Sequence, residues 1–134
     1  MIYIVEDDKN VRDGFVMLLR SEGFISKAYD KAEDFLKEFK PAVDDLLILD
    51  MHLPGMNGCA LLDKMEKRGI HFPFIIITGF DEPVNRSCAK KYGALAYLRK
   101  PVDSTALIDL IKFNLDIKKS FNTNNSFHNQ RSSI

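Results

Sequence analysis

Five polar residues stand behind apolar runs in this chain: Glu6, Asp7, Asp50, Thr78 and Lys100. The runs are Ile2-Val5, Leu46-Leu49, Phe74-Ile77 and Ala96-Leu98, with Arg99 intervening before Lys100. If these runs are buried strands of one parallel sheet, their C-terminal ends share an edge, where open α/β folds bind ligands. Three carboxylates, a hydroxyl and an ammonium would then line one pocket. Crowded carboxylates repel one another, and a buried unpaired Asp50 is costly. A partner cation relieves both problems. Mg²⁺ fits, being held by one or two carboxylates with waters and phosphate oxygens completing its shell.

Each residue has a plainer reading. Glu6-Asp7-Asp8 could be a solvated acidic turn, Thr78 a strand-end hydroxyl bonded to backbone, and Lys100 an exposed loop lysine. The ordered set at four strand ends weighs against coincidence. Lys100-Pro101 sharpens it, because a proline there fixes the turn, can be cis, and would aim the lysine stem back over the sheet edge. Gly79 would keep the approach to Thr78 open.

The elements that must position these groups alternate. Asn10 is expected to cap a helix whose buried face carries Val11, Phe15, Leu18 and Leu19, with Gly23 ending it. A weaker strand spans about Phe24-Tyr29, where Lys27 marks an edge position. Asp30 opens a second helix bearing Ala32, Phe35, Leu36 and Phe39, and Pro41 closes it. Leu46-Leu49 and Phe74-Ile77 are apolar on both faces, as central parallel strands are. Leu61, Leu62 and Met65 mark a third helix stopped by Gly69. Pro83 begins a fourth that runs to Tyr92 before Gly93. A last helix starts near Ser104 with Leu107, Ile108, Ile111 and Leu115 on one side. Five strands and five helices in alternation call for a parallel sheet covered on both faces, with right-handed crossovers. Residues 1–119 form one domain, and the Ser/Asn-rich stretch 120–134 reads as a linker or tail.

The chain's 134 residues suit one hydrophobic core. Equal counts of 19 basic and 19 acidic residues give no polyanion-binding surface, which argues against direct nucleic-acid binding. No apolar run is long enough for a membrane helix. Cys59 and Cys88 are too few for a metal motif or disulfide framework and read as free thiols in a reducing, cytoplasmic setting.

Taken together, Ile4-Val5-Glu6-Asp7-Asp8, Leu49-Asp50-Met51-His52-Leu53-Pro54-Gly55-Met56-Asn57-Gly58, Ile77-Thr78-Gly79 and Lys100-Pro101 resemble the receiver domains of two-component response regulators. The resemblance covers residues 2 to about 118. Thr78-Gly79 and Ala32-Glu33-Asp34-Phe35-Leu36 lean toward the FixJ-type branch. It implies a flavodoxin-like five-stranded sheet in the order 2-1-3-4-5. It also implies that Asp50 accepts a phosphoryl group from a kinase phosphohistidine. Mg²⁺, with Mn²⁺ as the alternative, would be bound by Glu6, Asp7, Asp50 and the backbone carbonyl of His52. Many relatives carry Asp where Glu6 stands, and the longer arm still reaches. Lys100 and Thr78 would bind the phosphoryl group, and Thr78 with Tyr97 would form the switch. The fourth helix, last strand and final helix would present the output face to a homodimer partner, output domain or effector. His52 and Phe80 would flank the path of a hydrolytic water, and a bulky Phe80 predicts slow self-dephosphorylation.

Three other readings are weaker. A haloacid-dehalogenase-type phosphatase needs a second Asp where His52 stands. A flavodoxin-like redox protein needs a Ser/Thr/Gly phosphate loop where Glu6-Asp7-Asp8-Lys9 stands. A degenerate receiver, acting as an unphosphorylated interaction module, would lack one of the key residues, and none is missing.

Overall fold

The computed structural model describes residues 1–40, 42 and 44–116. The proposed Pro41 helix stop and the 120–134 tail lie outside the described residues. Five parallel strands, β1 (Ile2–Val5), β2 (Ser26–Tyr29), β3 (Leu46–Asp50), β4 (Phe74–Thr78) and β5 (Ala96–Arg99), form one sheet in the order β2-β1-β3-β4-β5. Four helices connect them: α1 (Lys9–Ser21), α2 (Ala32–Glu38), α3 (Gly58–Lys67) and α4 (Pro83–Tyr92). A fifth helix, α5, spans 104–116. This is the expected flavodoxin-like arrangement.

The central strands are what their sequences require. Every residue of β1, β3 and β4 is buried, so these strands carry no alternating polar face. The edge strands β2 and β5 are only partly covered. Beneath one face Phe35 is fully buried and packs edge-on against Tyr3 at 5.4 Å and Tyr29 at 5.8 Å between ring centroids. Burying such a side chain is worth about 1.5–3 kcal/mol. That packing seats α2, whose first residue, Ala32, is also fully buried.

Helix starts differ from expectation at two points. Asp8, not Asn10, caps α1, its carboxylate accepting the Val11 N–H at 3.1 Å. Asp8 has the extended backbone that a cap needs, and Asn10 already lies inside the first turn. α2 starts at Ala32 without a side-chain cap, so Asp30 does not open it. α4 has the predicted bounds, with Gly93 in the left-handed conformation behind it. Residues 1–102 form one compact unit, and α5 belongs to a second that begins at Asp103. Asp103 caps it through the N–H groups of Thr105 and Ala106, and Leu107, Ile108 and Ile111 are buried.

The cysteines correct the sequence reading. Cys59 on α3 and Cys88 on α4 form a disulfide across a separation of 29 residues, with Cα atoms 6.0 Å apart. The two helices flank β4 in sequence, and their packing brings together thiols that spacing alone had left apart. The argument from free thiols to a reducing compartment therefore fails.

Candidate functional site

Parallel register carries the polar strand-end residues to one edge. β1 pairs with β3 so that Val5 lies opposite Leu49, which leaves Glu6 and Asp50 at the same level. Asp50 pairs with Ile77 and Thr78 with Arg99, adding Thr78 and Lys100 to the same edge. A Cβ at Gly79 would meet Lys100 Cδ at 3.9 Å, an ordinary van der Waals contact, so the lysine's path does not require glycine there. Lys100–Pro101 is cis.

Lys100 Nζ lies 2.6 Å from Glu6 Oε1 and 3.1 Å from Asp50 Oδ2. Glu6 and Asp50 are 0% and 1% exposed, so this ammonium offsets two charges that water cannot reach. One cation between two carboxylates leaves the site short of positive charge. Burial first, and then the adjacent Asp50 carboxyl, push Glu6 up to about 8 against the pull of Lys100. Burial works against the charge of Lys100, but its bonds to Glu6 and its attraction to Asp50 outweigh that and raise its pKa.

Carboxylate oxygens of Glu6, Asp7 and Asp50 lie within 4.8 Å of one another. Asp7 is exposed, which gives the cluster an open side. Glu6 Oε2 is buried without a hydrogen-bond partner. A buried carboxylate oxygen without a partner, beside two other carboxylates, makes an all-oxygen donor set that fits Mg²⁺ or Mn²⁺.

The loops beside the cluster are tied to it. Asp50 Oδ1 accepts the His52 N–H at 3.0 Å, and the His52 side chain is exposed. Thr78 is fully buried; its hydroxyl donates to the Phe80 carbonyl at 2.9 Å and accepts the Phe80 N–H at 3.0 Å. The rings of His52 and Phe80 meet with centroids 4.5 Å apart. Tyr97 is half-buried on β5, its hydroxyl donating to Asp81 at 3.3 Å and its ring under the Arg86 guanidinium at 5.1 Å. Arg86 hydrogen bonds hold Asp81 below the usual carboxylate range.

Two residues beside the site escaped the sequence reading. Arg12 donates to the carbonyls of Glu6 and Asp7 at 3.0 and 3.3 Å, bracing the acidic loop. Glu33 on α2 accepts the Met56 N–H at 2.7 Å, across 23 residues. A helical turn back to the strand end is a signal that would have suggested Arg12. No local signal marks Glu33.

Comparison with known proteins adds to this geometry. The response regulator receiver domain family matches residues 2–112. Nodulation protein W of Bradyrhizobium diazoefficiens is 33% identical over 111 residues, covering 83% of this chain and 49% of that protein. The transcriptional regulatory protein FixJ of Rhizobium meliloti is 34% identical over 112 residues, covering 83% of this chain and 54% of that protein. The chain thus spans about half the length of these relatives. Among solved structures, the response regulator StyR superposes with a TM-score of 0.80 at 34% identity, covering 96% of this chain and 65% of that one.

Proposed function

Because the chain belongs to the response regulator receiver domain family, a family of two-component signalling modules, we propose that Asp50 accepts a phosphoryl group in a Mg²⁺-dependent reaction. The observation that carries this is Lys100 bonded to both buried carboxylates at 2.6 and 3.1 Å, an assembly with little structural reason to exist at a sheet edge. The donor is the phosphohistidine of a sensor histidine kinase or of a phosphotransfer protein. A carboxylate oxygen of Asp50 attacks phosphorus; the P–O bond forms as the P–N bond breaks, and the departing imidazole takes its proton from solvent.

Glu6, Asp7, Asp50 and the His52 carbonyl are the residues that would hold Mg²⁺, with Mn²⁺ as the alternative. Bound there, the ion neutralises charge between the carboxylates and the phosphoryl oxygens. Lys100 then exchanges its contact with Asp50 for the phosphoryl oxygens, a charge-assisted bond. Thr78 reaches those oxygens by giving up its two bonds to Phe80, which draws residues 79–80 along. Tyr97 leaves Asp81 and Arg86 to fill the space behind it. The phosphoryl group adds about −1.5 to −2 charges at pH 7, so the switch is electrostatic at its origin.

The altered surface of α4 and β5 is the readout, offered to a second copy, an output domain or an effector protein. A cytoplasmic site of action belongs to the same proposal and rests on the kinase partner. No helix among the described residues is long and apolar enough to cross a membrane.

The test is incubation with acetyl phosphate and Mg²⁺, reading intact mass for wild type and Asp50→Asn. One phosphoryl group gained only with both Mg²⁺ and Asp50 is expected. No gain in a folded protein that binds Mg²⁺ would demote the chain to a phosphorylation-independent interaction module.

A further inference from the structure

The loop from Met51 to Asn57 leaves the phosphoacceptor strand and carries His52, whose carbonyl the proposed function assigns to the metal. Its start is anchored by the buried Met51 and Leu53 side chains and by the Met51 N–H, which donates to the Ile77 carbonyl at 3.1 Å; three further restraints act on the loop. The His52 N–H bonds to Asp50 Oδ1 at 3.0 Å. Gly58 closes the loop against Met51, where a Cβ would lie 2.8 Å from Met51 Cα, so a side chain there would strike backbone. The third restraint comes from outside the loop: Glu33 Oε1 accepts the Met56 N–H at 2.7 Å.

The three are not equivalent. The first uses Asp50 itself, so it changes whenever that carboxylate reacts or binds a cation. The Gly58 contact joins the two ends of the loop without referring them to anything else. Glu33 ties the Met56 end of the loop to a helix that takes no part in the chemistry, as the buried Met51 and Leu53 side chains tie its start to the core. That helix is fixed: Ala32 and Phe35, on either side of Glu33, are fully buried. Glu33 lies in the first turn of a helix with no side-chain cap, where its negative charge is favoured by the exposed N–H groups.

The loop is shaped to meet it. Gly55 has φ 69°, and a Cβ at that position would stand 3.3 Å from Glu33 Oε1. The backbone therefore comes as close to the carboxylate as a glycine permits. Net, a hydrogen bond is worth about 0.5–1.5 kcal/mol, and more when one partner is charged. That is enough to bias the loop toward one conformation.

We infer that Glu33 is a positioning residue for the divalent-cation site, holding the loop after β3 so that its backbone oxygen is in place before metal arrives. The inference rests on the receiver reading given above. It predicts that Glu33 sets metal affinity without touching the metal or Asp50.

The test is Mg²⁺ titration by calorimetry of wild type, Glu33→Ala, Glu33→Gln and Gly55→Ala, together with hydrogen exchange of residues 51–57 in the metal-free proteins. Glu33→Ala is expected to raise the Mg²⁺ dissociation constant about three- to tenfold, the scale of one net hydrogen bond, and to speed exchange at Met56. Gln keeps an acceptor oxygen and should stay within about twofold of wild type. Gly55→Ala strains the same contact from the exposed loop side and should weaken Mg²⁺ like Glu33→Ala. Faster exchange with unchanged Mg²⁺ affinity would overturn the inference, leaving a tether of the fold alone. Equal weakening by Ala and Gln would also overturn it, because charge and not the hydrogen bond would then be responsible. Wild type that binds no Mg²⁺ would instead sink the receiver reading, and this inference with it.

Discussion

A carboxyl group that water cannot reach, beside a second carboxylate and a single lysine, lowers its energy by taking a proton or a cation. Glu6 is that group, raised to about 8 chiefly by burial and then by Asp50. Its value in the unfolded chain is about 4.5. The native state therefore binds the extra proton between those two values, so the Glu6 contribution to metal-free stability is full below about 4.5 and is lost as pH rises through about 8. Urea unfolding in a chelator from pH 5 to 8.5 would show the decline, and Glu6→Gln should flatten it; a rising or level wild-type curve would refute the assignment. Glu38, Asp63 and Asp81, whose pKa values are lowered, act in the opposite sense toward acid pH, so the comparison with Glu6→Gln isolates the Glu6 part. The placing of Glu6 behind an apolar run was legible in the sequence. Its protonation was not, because that depends on Lys100, 94 residues away, and on how tightly the sheet edge closes.

At the scale of elements, two loops meet over the sheet edge that carries Asp50. The loop after β3 is bonded to Asp50 through His52, and the loop after β4 is bonded to Thr78 through Phe80. The His52–Phe80 ring contact at 4.5 Å joins the two loops and supplies no carboxylate or carboxamide to orient a water. A phosphorylated Asp50 should accordingly hydrolyse over minutes or longer, and Phe80→Ala should shorten that lifetime several-fold. Phosphate release from purified phosphoprotein measures both, and a wild-type half-life of seconds would contradict the argument. Most elements were readable because their signals were local. Pro83 and Gly93 bracket α4, and unbroken apolar runs mark β3 and β4. The start of α1 was misplaced by two residues because Asp8 and Asn10 are both competent caps, and only backbone conformation chooses between them. The Glu33 tether was not legible, since it joins a helix and a loop 23 residues apart through the tertiary fold.

For the molecule as a whole, the Cys59–Cys88 disulfide is the one covalent cross-link, and it joins helices on either side of β4 in the chain. Chain-entropy reasoning for a closed loop of 29 residues gives about 3–4 kcal/mol of stabilisation. Reduction should lower the urea midpoint by roughly 1–4 M, given a slope of about 1–3 kcal/mol per molar. Unfolding curves with and without dithiothreitol test this, with alkylation before reduction counting free thiols. Two alkylated cysteines in the untreated protein, with coincident curves, would contradict it. The pairing was illegible because it arises from helix packing, not from spacing. The same bond makes the chain a closed ring from residue 59 to residue 88, with Thr78 on the ring and Asp50 and Lys100 on the two arms that leave it. One peptide bond cut anywhere inside that ring adds a water and releases nothing. The arms stay joined through sulfur, so the nicked protein runs as a single species until a reductant parts it into two pieces.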